Sequence, residues 1–172
     1  MPMPMPVYAD GTTLGELGTA EVLMVTLLRL WVAERSGATG NDPALDWRSA
    51  FVAAGVAEQG VPAFGCFMDI IASTALRTLH TRPLRCAMLG TDEARLLQLI
   101  SLLQRDRLVP AVEILADFLP PTAMRLARKV GKALADIFAS ANLVVPLRHA
   151  EAATYLSFAP SAHAAPGLAL VQ

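Results

Sequence analysis

Four cationic side chains late in the chain, Arg125, Arg128, Lys129 and Lys132, recur at three- and four-residue intervals. On a helix that spacing gathers them on one face, where they could meet phosphates or another anion. Other residues with chemical potential are scattered. Cys66 and Asp69 are three apart and share a helical face, while His80, Cys86, His149 and His163 lie far from them along the chain. Zinc chemistry asks for tight ligand pairs, such as two cysteines two to four residues apart, and none occurs here. Glu113 and Asp117 are four apart. That spacing suits paired-carboxylate chemistry, and it equally suits a solvated helix face. There is no Gly-x-Ser-x-Gly elbow and no glycine-rich phosphate loop. The sequence therefore assigns no catalytic, cofactor-binding or metal residue, and it calls for no cofactor.

The segment 115–134, LADFLPPTAMRLARKVGKAL, resembles a helix-turn-helix. Leu115, Ala116 and Leu119 stand where the first helix of that motif is apolar. Thr122 stands at the cap of the second, and Leu126, Val130 and Leu134 would face the core. The chain departs from the motif at the turn, with Pro120-Pro121 in place of a glycine and a small apolar residue. Its net charge of −1 also lacks the basic balance of most DNA-binding domains. An amphipathic helix with a basic, solvated face is the preferred reading. A DNA-binding regulator is the alternative.

The elements that must position these residues are helical. Hydrophobic residues make up 54% of the chain and charged residues 17%, against ~45–50% and ~25% in ordinary domains. The excess is largely Ala and Leu, which favour helices. Six helices are expected, in a compact all-α bundle with short antiparallel connections in the second half. The first runs from Thr19, as cap, to about Arg35. The second starts behind Asp42-Pro43 and stops at Gly55. The third spans 62–79. A connector with no helical period covers 80–90, with a strand-like stretch at 84–88. The fourth helix opens at Thr91 with two acids in its first turn. The fifth ends at Pro120-Pro121, and the sixth runs from Thr122 to about Asn142. Residues 1–12 read as a disordered lead-in, 13–148 as the helical domain, and 149–172 as a partly disordered extension holding one short helix.

The first and fourth helices are apolar over most of their circumference. Only Thr26 and Arg29, continued by Ala33, interrupt the first. So much apolar surface suggests cover from another subunit. Leu23, Leu27 and Trp31 are the expected self-association residues, and a homodimer is the expected partner state. Met24, Trp31, Trp47, Phe51, Phe64 and Phe67 read as core that could also line a ligand pocket between helices. No apolar run reaches the ~20 residues of a membrane span, and no signal peptide is visible. The expectation is a cytoplasmic protein without membrane contact that works through protein contacts and not through catalysis.

One wider likeness rests on four stretches. They are Arg29-Leu30-Trp31, Arg82-Pro83-Leu84, Asp92 to Leu97 (DEARLL) and Leu119-Pro120-Pro121. With these the chain, over residues 20–145, resembles a group of small, uncharacterised helical proteins from proteobacteria. Some such sequences carry extra cysteines in the connector, where this chain has only Cys86. The resemblance implies a helical fold and no assigned activity.

Overall fold

A computed structural model describes residues 8–40 and 42–148. The expected short helix after His149 and the start of the lead-in lie outside them. Six helices form the architecture: α1 (Thr19–Arg35), α2 (Trp47–Ala53), α3 (Gly60–Thr74), α4 (Thr91–Gln104), α5 (Leu108–Phe118) and α6 (Pro121–Ser140). Short 3-10 turns at Leu14–Glu16 and Pro43–Leu45 precede α1 and α2. The fold is all-α. Among the described residues the only β pairing is an isolated bridge between Thr13 and Met88. No described helix is long and apolar enough to cross a membrane.

α6 is the central element and packs against α3, α4 and α5, while α1 packs on α2 and α4. Its inward face is built of small residues and two large ones: Ala123, Ala127, Gly131, Leu134, Ala135 and Phe138. The small residues let neighbouring helices approach closely. A Cβ on Gly131 would stand 2.9 Å from the ring of Phe67 and 3.1 Å from Leu103, so α3 and α4 both close on this point. Phe51, Phe64 and Phe138 stack in a chain of ring contacts at 5.8 and 5.5 Å that ties α2, α3 and α6 together.

Helix starts differ from the expected caps. Gly18 and Gly90, rather than Thr19 and Thr91, occupy the N-cap positions, and Glu21 and Glu93 reach back to accept the Gly18 and Gly90 N–H groups. The second helix does not begin at Pro43. A 3-10 turn comes first, and Asp46 caps α2 by accepting from Arg48 N and Ser49 N. α3 ends at Thr74, five residues short of the expected Leu79. Ser73 and Thr74 turn their hydroxyls onto the preceding carbonyls of Asp69 and Ile70, and Leu76 N–H leaves the helix for Phe118 O. Side-chain hydroxyls competing with the helical ladder explain that early end.

Beyond the single bridge of Met88 to Thr13, the long connector is held by charge. Arg29, expected on a polar stripe of the first helix, is 3% exposed. Its guanidinium donates to both carboxylate oxygens of Glu93 (2.8 Å each), to Cys86 O (2.6 Å) and to Met88 O (2.7 Å). Glu93 in turn accepts from Arg82 N and Gly90 N. Asp92 accepts from Arg77 and from His80 N. Burial alone would raise the Asp92 carboxyl, but these donors outweigh it and hold its pKa below the usual carboxylate range.

The chain ends of the domain are fastened in the same way. Tyr8 donates to Glu21 at 2.7 Å, and Arg148 clamps the same carboxylate through two 2.8 Å contacts. Burial, then Glu21, push the Tyr8 phenol far above its ordinary pKa, so it remains a donor. Tyr8 to Thr12, expected within the lead-in, thus dock on the domain. Gln104 accepts from Val145 N and donates to Leu143 O, while Ser101 and Arg105 both donate to Val145 O. The apolar stretch after α6 is pinned across α4 by these bonds.

Candidate interaction groove

The sequence-predicted basic residues do share one face. Arg125, Arg128 and Lys129 are exposed on α6. Lys132 is drawn into ion pairs with Asp106 (3.1 Å) and Asp136 (2.5 Å), which raise its ammonium pKa, the Asp136 hydrogen bond most. The helix-turn-helix reading needs one correction. Leu126 does not face the core but is 52% exposed, because Ala123, Ala127 and Gly131 take the inward positions that bring α3 and α4 close. Of the other inward positions, Leu134 is buried and Val130 half-buried.

The predicted self-association residues lie elsewhere than on a free face. Leu27 is fully buried and Leu23 half-buried against the core, so both are used within the monomer. Trp31 is nearly buried too, but one side of it lines a surface groove. Cys66, His80 and Cys86 do not come together. Among the described residues no three potential ligands gather around a metal-sized space. Glu113 is exposed on α5, and Asp117 pairs with Arg95.

The groove at Trp31 encloses about 840 Å³. It runs between the end of α1, the start of α2 and the outer face of α3. Its floor is Trp31 and Trp47, with Val61, Pro62 and Ile70 beside them. The Asp46 cap sets Trp47 at the first position of α2, and Trp47 then packs on Phe64 at 5.3 Å between ring centres. Gly65 lies against the Trp47 ring, where a Cβ would make ordinary contact at 3.4 Å. Trp47 is 3% exposed, and its indole N–H finds no acceptor. A buried donor left without a partner costs about 1–3 kcal/mol.

Each tryptophan carries a guanidinium. Arg35 sits 4.6 Å from the Trp31 ring centre and Arg48 4.4 Å from that of Trp47. Each arginine is matched by an acid on the rim: Arg35 pairs with Asp69, and Arg48 with Glu34 at 2.9 Å. The hydrogen bond from Arg48 to Glu34 raises the guanidinium pKa further above its already high value. These four side chains are 42–57% exposed. Pairs so open to water contribute about 0–1 kcal/mol, so their partners exchange at little cost. Cys66 lies exposed in the same wall. The Ser73 hydroxyl is engaged by Asp69 O, and no histidine is among the lining residues. The groove therefore offers a little ring surface and exchangeable charge, with no nucleophile–base pair among its lining residues.

Sequence reasoning named Trp31 and Trp47 together among six residues that could line a pocket, and these two line the groove. Trp31 lies late in α1 and Trp47 at the start of α2, and the packing of α1 on α2 brings them to one floor. Comparisons with family models, with curated proteins and with solved structures found no match to this chain.

Proposed function

We propose that this chain acts without catalysis, through protein–protein contact, as a homodimer joined across the Trp31–Trp47 groove. The observation that carries the reading is the charge balance of that groove. It presents two arginines and two acids, each pair exposed and loosely held, around an aromatic floor. A two-fold interface must be self-complementary, with each patch meeting its own copy. A surface holding equal numbers of both signs meets that condition: Arg35 and Arg48 of one protomer can exchange onto the acids of the other. Tryptophan and arginine are also the residues that most often dominate interface energies.

Sedimentation equilibrium across roughly 1–50 µM tests the reading, since weak interfaces fall in the micromolar range. The wild-type chain is expected to sediment as a dimer at the upper end. The variant R35E/R48E, with four acids facing four, is expected to be monomeric. Mixing it with E34R/D69R is expected to restore a dimer of one chain of each. A wild-type monomer throughout, or a charge-reversed variant that dimerises as well as wild type, would contradict the proposal.

A further inference from the structure

We infer that the outer face of α6 docks an acidic, aliphatic segment of a partner protein. The inference stands on a different surface from the groove and does not depend on the dimer. Arg125, Arg128 and Lys129 occupy a little over one helical turn, and among the described residues none of them enters an ion pair. Lys132, one turn further on, shows what a local acid does on this face, since Asp106 and Asp136 both hold it. Three positive charges are thus left uncompensated on a chain whose net charge is −1. Such a local excess attracts a matching negative surface.

Exposed aliphatic side chains sit among these charges. Leu126 stands beside Arg125 at 52% exposure. The Lys132–Asp106 contact links the face to the start of α5, where Leu108 (44%) and Val109 (73%) are also exposed. This mixture discriminates among anions. Single-stranded nucleic acid is held by aromatic stacking, and the only aromatic residue of α6, Phe138, is fully buried. An anionic bilayer takes up an amphipathic helix by a broad apolar face, whereas Leu126 is the only large hydrophobic residue exposed on α6. A protein segment with three or four carboxylates and leucines between them satisfies both the charge and the apolar requirement.

The probe is a labelled 20-residue helical peptide with glutamates at i, i+3, i+4 and i+7 and leucines flanking them. Its binding to the full chain is followed by fluorescence anisotropy at 20 mM and 300 mM salt. Binding is expected at low salt and should weaken about ten-fold or more at high salt, as surface charge contacts are screened. The variant R125E/R128E/K129E, which alters only exposed residues, is expected to bind at least about ten-fold more weakly, with an unchanged helical spectrum and melting temperature. L126S, or serines in place of the peptide leucines, is expected to weaken binding several-fold. The inference is overturned if the peptide does not bind at 20 mM salt, or if the triple variant binds it equally. It is also overturned if a 24-base-pair duplex, or vesicles with 30% anionic lipid, bind the wild-type chain more tightly than the peptide does.

Discussion

Removing either partner of the Arg29–Glu93 pair should be among the most damaging single changes in this protein. Both side chains are at most 1% exposed. In Glu93→Ala the guanidinium keeps its bonds to Cys86 O and Met88 O but loses its counter-charge, and Arg82 N and Gly90 N lose their acceptor. Stranding a buried charge in this way costs about 3–5 kcal/mol. A domain of this size holds about 5–15 kcal/mol in total, so the loss is a large share of it. The melting temperature should fall by about 10–15 °C. Arg29→Met should cost a similar amount, because the Glu93 carboxylate and the connector carbonyls then lose their donor. The double variant Arg29→Met/Glu93→Ala should be less destabilised than the sum of the singles by about 2 kcal/mol or more, since no charge is left stranded. Urea unfolding followed by circular dichroism measures all three. Amide exchange at Arg82 and Gly90 should quicken in each variant. If either single change costs less than about 1 kcal/mol, or if the two costs simply add, then the pair does not organise the connector as described.

Gly131→Leu should destabilise by several kcal/mol, because its side chain would have to displace Phe67 and Leu103; a melting scan reads this directly. Gln104→Ala should cost about 1–3 kcal/mol and speed exchange of the Val145 amide, which would lose its acceptor. Stability should fall with acid. Glu21 and Asp92 have folded pKa values below their ordinary ones, since their donors outweigh the opposing effect of burial. Their stabilisation is therefore complete above the unfolded carboxylate range near pH 4 and is lost as pH falls through the folded values. Urea midpoints measured from pH 6 to pH 2 should show this decline, and Asp92→Asn should flatten part of it.

Much of the fold was legible in the residues themselves. The Leu- and Ala-rich runs of α1, α4 and α6 announce helices because propensity and apolar content agree there. In α3 the apolar pattern continues through Ala75 and Leu79 and predicts a longer helix, while Ser73, Thr74 and the long-range bond from Leu76 to Phe118 end it. The buried charges were misread for a related reason. Arg29 on a polar stripe, or two acids in a first turn, look alike whether they face water or a connector. The carbonyls that decide the matter for Arg29 lie 57 and 59 residues away. The apolar excess of α1 suggests an uncovered face, yet Leu27 is used by the core, and the exposed aliphatics sit on α2, α5, α6 and the segments between helices instead. The groove was the least legible feature. Its floor joins a residue late in α1 to the first residue of α2, and the loop between them carries no signal of how those two helices pack.

Cys66 provides the most direct measurement of the proposed dimer. It lies exposed in the groove wall, so two copies joined across that groove bring two Cys66 thiols near each other. In a Cys86→Ser background, a short bis-maleimide should cross-link wild-type protomers at tens of micromolar, a concentration chosen for a micromolar interface. The product should vanish in R35E/R48E and return when that variant is mixed with E34R/D69R. Absence of a Cys66-linked dimer in the wild-type chain, or equal cross-linking in R35E/R48E alone, would contradict the account.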